Sequence, residues 1–245
     1  MGIADRGDVY EDFMLTAESD VLAIKKSWQA RYPTRAVAAV NSWHYQYIKR
    51  ALDLICALIM IVAFVIPGLV IAAAIVMDSD GPVFYREQRI GRDGRLFRIW
   101  KFRSMRRSSR ECERIESPRG DGELPQFRMN KNIADPRITS VGRFVRTWSL
   151  DELPQLVNVL RGEMSLVGPR PIIEAEAGYY GDLLPFYLAA TPGLSGLWQV
   201  SGRSEVGYEK RARLDALYVS SWSLIADLEI FIRTVPAVLS RAGAR

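Results

Sequence analysis

The feature that most constrains the fold is an apolar stretch from Leu54 to Met77, which contains 24 residues and no charged side chain. As an α-helix it would be about 36 Å long, whereas the hydrocarbon core of a bilayer is about 30 Å thick. The stretch is too long for the apolar region of a signal peptide, and no small-residue cleavage site follows it. It is therefore predicted to be a membrane helix.

Basic residues flank this stretch on both sides. Lys49 and Arg50 precede it, and an arginine-rich segment follows it, so the positive-inside tendency favours both ends on the cytoplasmic side. Pro67 lies just past the midpoint, where a proline removes a backbone donor and allows a sharp bend. We predict a re-entrant helix that breaks at Pro67 and returns to the same face. A kinked helix that crosses the bilayer is the alternative.

The net charge of +5 hides a stronger local excess of positive charge. Between Arg86 and Arg107 there are nine basic residues against Glu87 and Asp93, a local charge of +7. Such a segment suits nucleic acid, anionic lipid headgroups or a phosphorylated small molecule. Because it directly follows the apolar stretch, we favour membrane lipid and a phosphorylated substrate and expect no nucleic acid. A solvated basic face without a ligand is the alternative.

The chain contains one histidine, His44, and two cysteines, Cys56 and Cys112, in unlike surroundings. These counts argue against hydrolases of the Ser-His-Asp or Cys-His type and against histidine-ligated zinc. If the chain is an enzyme, its chemistry must rest on carboxylates, lysines and arginines, with or without a hard metal ion.

The sequence after Asp78 has the character of a soluble domain. The segments "PVFYREQRI" and "RLFRIWKF" flank "GRDG", which predicts a β-hairpin. Apolar residues at helical spacing between 141 and 148, and again in "SWSLIADLEIFIRTVPAVLS", predict amphipathic helices that lie at an interface or pack against the core. Residues 1 to about 40 read as a weakly structured tail, and residues 108–132 as a polar loop or insertion.

The stretch "SLDELPQLVNVLRGEMSLVGPRP" places Asp151 and Glu152 just ahead of Pro154. Because proline is tolerated only in the first turn of a helix, we predict a helix start with Asp151 as its cap and Glu152 as its first residue. An ordinary capping box formed by Ser149 and Glu152 explains the same residues. The chemical alternative is that one carboxylate attacks phosphorus while the other binds Mg²⁺.

Arginines that could neutralise a phosphate occur near this pair. Arg146 precedes it, Arg170 lies between two prolines in "GPRP", and Arg203 follows the glycine-rich "TPGLSGLWQVSG". Glycines allow the backbone to approach a ligand closely, and a guanidinium held by a stiff loop suits phosphate. These residues predict a phosphate or nucleotide pocket, although an arginine between prolines is also an ordinary turn residue.

Several ordered blocks resemble the bacterial sugar transferases, the monotopic polyprenol-phosphate phosphoglycosyltransferases. The blocks are "KRALDLICALIMIVAFVIPG", "GPVFYREQRIGRDGRLFRIWKFRSM", "SVGRFVRTWSLDELPQLVNVLRGEMSLVGPRP" and "TPGLSGLWQVSGR", and the likeness covers roughly Tyr47 to Val235. The resemblance implies an α/β fold: a small mixed cytosolic catalytic domain with amphipathic interfacial helices and an N-terminal re-entrant membrane helix. The expected segments are a tail (1–44), the membrane helix (45–78) and the catalytic domain (79–245).

The resemblance also implies a two-step exchange with a UDP-sugar as the donor. Asp151 would attack the sugar-bearing phosphate and release UMP, and Glu152 would bind Mg²⁺ together with Asp151. The residues expected to bind substrate are Lys101, Arg146, Arg170 and Arg203. Those expected to anchor the membrane helix are Lys49, Arg50, Asp53 and Pro67. Family members often have serine before the helix-breaking proline, but Ile66 occupies that position here.

The expected reaction moves a sugar 1-phosphate, of glucose or galactose because "GLWQV" resembles the hexose enzymes, to undecaprenyl phosphate. It would take place at the bacterial inner (cytoplasmic) membrane, with the catalytic domain facing the cytoplasm, and would initiate exopolysaccharide or another surface glycan. Downstream glycosyltransferases or a second copy of the chain are expected as further partners. Two alternatives stay open: a non-catalytic membrane scaffold of a polysaccharide assembly complex, and a glycosyltransferase that releases UDP.

Overall fold

The computed structural model describes residues 36–106, 137–202 and 207–239. The longest element is helix α1, Arg50–Asp78, which continues from a π-helical turn at His44–Lys49. Together they form a 35-residue helix, His44–Asp78, which is long and apolar enough to cross a membrane. Only 11% of its most apolar 18-residue segment is buried against the rest of the chain. The apolar helix predicted from the sequence is therefore present.

Helical structure continues through Pro67, which lies inside α1, so the break predicted at this residue is not shown. The buried side chains of α1 lie toward its two ends, at Asp53 and Ala57 and again at Ile71 and Ile75. No side chain from 58 to 70 is buried. Helix α1 therefore packs against the rest of the chain near both ends and exposes its apolar middle.

Strands β1 (Phe84–Ile90) and β2 (Leu96–Phe102) form the predicted antiparallel hairpin. The tight turn between them, Arg92–Gly94, has Asp93 in the left-handed region with a φ of 58°. Successive side chains of a strand point to opposite faces. The register pairs Tyr85 with Lys101 and Arg89 with Phe97 on one face of the hairpin. We call this the inner face, because Arg89 and Phe97 are buried there against the rest of the domain. The outer face carries the alternate pairs.

Helix α2, Ser140–Thr147, begins after Thr139, whose hydroxyl accepts a hydrogen bond from the Gly142 N–H at 2.9 Å. Its apolar spacing was correctly read as helical. A 3₁₀ turn at Leu150–Gln155 follows, and helix α3 runs over Leu156–Arg161.

The predicted helix start at Asp151 is wrong in detail. The residue that caps the 3₁₀ turn is Ser149, in the left-handed region with a φ of 55°, and its side chain makes no capping hydrogen bond. Asp151 and Glu152 lie inside the first turn. Pro154 lies within this 3₁₀ segment, and regular α-helix starts only at Leu156.

The rest of the domain is built around a short parallel pair, β3 (Ser165–Val167) and β4 (Gly193–Ser195). A 3₁₀ segment at Glu174–Leu183 and helix α4, Leu184–Ala189, connect them, and helices α5 (Tyr208–Ser220) and α6 (Leu224–Leu239) follow. The main core includes Leu156, Leu166, Leu197, Leu214 and Ile230. The chain is thus a mixed α/β domain attached to a long apolar helix, as predicted.

Helix α6 is amphipathic, as its sequence predicts. Ala226 and Ile230 are fully buried, whereas Ile225 is 71% exposed and Ile232 is 61% exposed. The tail up to residue 35 and the polar segment 108–132 lie outside the described residues.

Candidate active site

A cleft opens between the inner face of the hairpin, the turn that carries Asp151 and Glu152, and the loop 168–171. The residues that line it are Arg89, Ile99, Lys101, Glu152, Gln155, Arg170, Pro171, Gly193, Leu194 and Gln199. Three of them are cationic and one is a carboxylate. Such a cleft suits an anion with several oxygens, because each cation can neutralise part of its charge.

The two carboxylates occupy consecutive positions of the 3₁₀ turn. Glu152 lines the cleft, and its Oε1 lies 3.6 Å from Nζ of Lys101. Asp151 is buried, with 7% of its surface exposed. Both lie in the first turn of the 3₁₀ segment.

Arg170 comes from a loop that is tied to β4. The carbonyl of Pro169 accepts a hydrogen bond from Gly193 N at 2.8 Å, and the Arg170 guanidinium lies 5.4 Å from the ring centroid of Trp198. Desolvation lowers the pKa of Arg170, and the nearby charge of Glu152 opposes that shift. The loop therefore holds a half-buried guanidinium in the cleft, which is the arrangement that the "GPRP" sequence predicts.

Arg89 is a cleft residue to which the sequence assigned no role. Its Nη1 donates to the carbonyl of Pro171 at 3.1 Å, and its guanidinium forms ion pairs with Glu87 and Glu176. It therefore connects the hairpin to the arginine-bearing loop. Strand alternation was the signal that could have found it, because Arg89 shares the inner face with Lys101.

Two glutamines also line the cleft without having been predicted. Gln155 is buried, four residues after Asp151. Gln199 belongs to the "GLWQV" stretch, and its Oε1 lies 2.7 Å from the position that a Cβ on Gly196 would take. Gly196 therefore leaves room for this side chain. An amide carries both donors and an acceptor, so the two glutamines can hydrogen-bond a neutral, hydroxyl-rich group.

A buried network of charged residues contacts the cleft residue Arg89 through Glu176. Tyr180 donates to Oδ2 of Asp215 at 2.7 Å, and Arg211 Nη1 lies 3.6 Å from Oε1 of Glu176. Burial raises the pKa of Asp215 to about 7, although the charge of Arg211 opposes the shift. This network was not predicted, because charged residues on a helix are usually exposed.

Of the four predicted substrate residues, Lys101 and Arg170 line the cleft. Arg146 lies on α2 and is not among the lining side chains. Arg203 lies outside the described residues. Of the predicted set, Lys101, Glu152 and Arg170 line the cleft together, whereas Asp151, which precedes Glu152 in the same turn, is buried and is not among the lining residues.

Three of the four predicted anchor residues lie where α1 joins the domain. Nζ of Lys49 is 2.6 Å from Oδ2 of Asp227. Arg50 donates to the carbonyls of Val159 and Leu160 at 2.6 and 2.9 Å.

Asp53 continues this junction, since it accepts a hydrogen bond from the N–H of Leu166 at 3.1 Å. Pro67, in contrast, lies in the exposed middle of α1.

Comparison with known proteins decides the family. The model of the family described as "Bacterial sugar transferase" matches residues 44–241. The chain belongs to this family. The match confirms the resemblance seen in the sequence and covers nearly every described element, from the π-helical turn to α6.

The relatives of this sugar transferase bear the names of sugar phosphotransferases and exopolysaccharide proteins. It is 48% identical to the UDP-galactose-lipid carrier transferase of Erwinia amylovora over 81% of this chain, but it spans only 42% of that protein. It is 42% identical to the exopolysaccharide production protein ExoY of Rhizobium meliloti, over 80% of this chain and 87% of the relative. It is 41% identical to the UDP-glucose:undecaprenyl-phosphate glucose-1-phosphate transferase of Caulobacter vibrioides, over 80% of this chain and 71% of the relative.

The described residues contain no group of three or more His, Cys, Asp or Glu side chains that could hold a metal ion. Asp151 and Glu152 nevertheless offer two adjacent carboxylates beside a cationic cleft. Mg²⁺ commonly binds through one or two carboxylates together with substrate phosphates. The donor set therefore fits a Mg²⁺ ion that binds with a diphosphate and not one held by the protein alone.

Proposed function

We propose that the chain transfers a sugar 1-phosphate from a UDP-sugar to undecaprenyl phosphate, with Asp151 as a covalent nucleophile and UMP as the leaving group. The observation that carries this proposal is the position of the two carboxylates. Asp151 and Glu152 share one turn at a cleft into which Arg89, Lys101 and Arg170 converge. An anionic nucleophile can attack a diphosphate only when cations neutralise the phosphate oxygens.

In the first step, a carboxylate oxygen of Asp151 attacks the phosphorus that carries the sugar. The bond from this phosphorus to the UMP oxygen breaks, and UMP leaves with the electron pair. In the second step, a phosphate oxygen of undecaprenyl phosphate attacks the same phosphorus and the bond to Asp151 breaks. The carboxylate is regenerated, and the product is a sugar linked to undecaprenyl diphosphate.

The side chains of the cleft have distinct parts in this reaction. Lys101 and the two arginines would bind and orient the diphosphate oxygens. Glu152 and Asp151 would hold Mg²⁺, which when bound supplies charge neutralisation at the diphosphate. No proton needs to move at Asp151, because both its attacking and its released forms are carboxylates. The scarcity of histidine in the chain agrees with such a reaction.

The sugar is proposed to be glucose or galactose. Gln155 and Gln199 offer amide groups to a hexose, and the sequence "GLWQV" resembles the hexose enzymes. Relatives whose names contain galactose and glucose are both present at more than 40% identity. The sugar phosphate would begin an exopolysaccharide or another surface glycan, with downstream glycosyltransferases or a second copy of the chain as partners.

We also propose that α1 is re-entrant and that the domain faces the cytoplasm at the bacterial inner membrane. Arg50, at the start of α1, donates to carbonyls of α3. Asp78, at its end, accepts a hydrogen bond from Val141 N on α2 at 2.8 Å. Because both ends contact the same domain and the middle is exposed, a bend near Pro67 that returns the chain to one side agrees with these contacts.

The exposed apolar faces of α2 and α6 fit the same arrangement. Phe144 of α2 and Ile225, Leu228, Ile232 and Val235 of α6 are exposed, and amphipathic helices with such faces can lie in the membrane interface.

The deciding experiment measures which nucleotide is released from a panel of UDP-sugars in the presence of undecaprenyl phosphate and Mg²⁺. We expect UMP with one UDP-hexose, loss of release in Asp151→Asn, and a phosphosugar adduct on Asp151 when the acceptor is omitted. Release of UDP would identify a glycosyltransferase. UMP release that survives Asp151→Asn would contradict the covalent step, and no release with any donor would favour a scaffold.

A further inference from the structure

The outer face of the β1–β2 hairpin and the end of α3 together carry a group of arginines and apolar side chains that the proposed reaction does not use. We call it the outer-face patch; its residues are Phe84, Arg86, Arg98, Trp100, Leu160 and Arg161. Arg86 and Arg98 are exposed on the two strands, and Arg161 is exposed at the end of α3. Their charge cannot act in the cleft, because the register places Arg86 and Trp100 on the face opposite to Lys101.

The patch is organised around Trp100. The Arg86 guanidinium lies 3.6 Å from the Trp100 ring centroid, and that of Arg161 lies 5.6 Å from it. Phe84 meets the same ring edge to face, with centroids 5.7 Å apart. A guanidinium stacked on an aromatic ring keeps its N–H edges available for phosphate oxygens.

The patch is continuous with the apolar helix at two points. Phe84 stacks on Phe102 with centroids 5.5 Å apart, and Phe102 packs with Ile71 and Ile75 of α1. At the other side, the carbonyl of Leu160 accepts a hydrogen bond from Arg50, the first residue of α1. A surface joined at both sides to a membrane helix lies close to the bilayer when that helix is inserted.

The composition of the patch fits a lipid headgroup layer. It contains three arginines, and the carboxylate of Glu163, two residues beyond the end of α3, already accepts a hydrogen bond from Asn158 at 2.6 Å. Phe84 and Leu160 are exposed between the cations, at 43% and 39%. Arginine with aromatic and aliphatic neighbours is suited to the boundary between headgroups and acyl chains.

We propose that the outer-face patch is a docking site for the anionic phospholipid headgroups of the membrane. One hairpin would then serve two surfaces: its inner face lines the cleft and its outer face contacts the lipid phosphates. This would fix the height and tilt of the cleft relative to the bilayer. Helix α1 would insert into a bilayer of any composition. Only the contact between the hairpin and the membrane surface would therefore depend on anionic lipid.

The test uses the full-length chain in nanodiscs of phosphatidylcholine alone or with 30% phosphatidylglycerol. Gln88, exposed on the outer face next to the patch, is replaced by cysteine in a Cys56→Ala, Cys112→Ser background and labelled with an environment-sensitive fluorophore. Quenching by headgroup-labelled lipid reports how closely the hairpin sits. We expect stronger quenching with phosphatidylglycerol and loss of this increment at high salt, because screening weakens contacts with anionic lipid.

Removing single arginine charges then shows which residues are responsible for the phosphatidylglycerol-dependent docking. Arg86→Gln and Arg161→Gln are each expected to weaken the phosphatidylglycerol-dependent docking about fivefold, and the double variant about 25-fold. The matched control is Arg213→Gln, which removes one exposed charge from α5 and should leave docking unchanged. The pair Arg86→Lys and Arg161→Lys keeps the charge and should retain most of the docking.

Three outcomes would overturn the proposal. The first is quenching in the unsubstituted chain that depends on neither phosphatidylglycerol nor salt, a result that needs no arginine variant. The second is a loss in Arg213→Gln as large as in Arg86→Gln, which would indicate a general charge effect. The third is displacement by 20 mM inorganic phosphate at constant ionic strength, which would show that the patch binds soluble phosphate instead of the membrane.

Discussion

Lys49 and Asp227 form a buried ion pair, with Nζ 2.6 Å from Oδ2, that joins the base of α1 to α6. Asp227 also accepts hydrogen bonds from Tyr218 at 2.8 Å and from the Trp222 indole at 3.0 Å. Burial raises the pKa of Asp227, and the positive charge of Lys49 opposes that shift. Lys49 is therefore the main group that favours the ionised form of this carboxylate.

Removing this partner should destabilise the junction. Lys49→Met leaves a buried carboxylate without its cation, a change that typically costs about 3–5 kcal/mol. We expect a clear fall in the midpoint of chemical denaturation, measured by tryptophan fluorescence in detergent. Glu209→Gln breaks an exposed pair with Arg213 on α5 and should cost about 1 kcal/mol or less. Equal losses in the two variants would contradict the structural role of the Lys49–Asp227 pair.

Much of the fold could be predicted because local sequence dictates it. The absence of charge from Leu54 to Met77 requires a membrane or a core, and "GRDG" between two alternating segments specifies a hairpin. Both elements are present. The start of the Asp151 segment was predicted less well, because a proline in a first turn is compatible with both an α-helix and a 3₁₀ turn.

The cleft was predictable only in part, for a physical reason. Glu152 and Arg170 belong to short motifs whose residue types indicate phosphate chemistry, whereas the role of Lys101 was implied by the resemblance to the family. Arg89 lines the cleft because of the register of the hairpin, and Gln155 because of its position in the 3₁₀ turn. The pattern of a single sequence specifies neither the register nor the turn geometry well. The buried Arg211 and Asp215 depend on long-range packing of α5 against the 3₁₀ segment that carries Tyr180, and no local signal shows such a contact.

Arg89 provides a test of a residue that the sequence did not single out. Arg89→Gln removes a cation that lines the cleft and its hydrogen bond to the Pro171 carbonyl. Hydrogen bonds to charged groups contribute about 1.5–3 kcal/mol, so kcat/KM for UMP release should fall about 10- to 100-fold. The control is Arg95→Gln, an exposed arginine at the hairpin turn. An unchanged kcat/KM in Arg89→Gln would remove this residue from the substrate site.

The re-entrant path of α1 can be tested by labelling its two flanks. Gln46 and Asp80 are both exposed, one on each side of the apolar segment. Each is replaced singly by cysteine in the Cys56→Ala, Cys112→Ser background. A membrane-impermeant maleimide should label both positions in inverted vesicles and neither in right-side-out vesicles, while permeabilised vesicles control for reactivity. Labelling from opposite sides would identify a helix that crosses the bilayer.

Asp215 should make stability depend on pH. Its pKa is raised from 3.8 to about 7 by burial, so the folded protein keeps a proton on this carboxyl where the unfolded chain has lost it. Its contribution to stability is therefore present below about pH 4 and is lost as the pH rises to about 7. Asp215→Asn resembles the protonated acid, since Tyr180 can still donate to it, and should remove this loss.

The variant and the unsubstituted protein should thus be similar in stability near pH 4.5, and the variant should be more stable near pH 8 by a few kcal/mol. Urea denaturation at both pH values measures the difference directly. Asp182→Asn, at an exposed position, should change stability little and equally at both pH values. If the difference between Asp215→Asn and the unsubstituted protein does not grow with pH, Asp215 is ionised in the folded state and Arg211 outweighs the cost of burial.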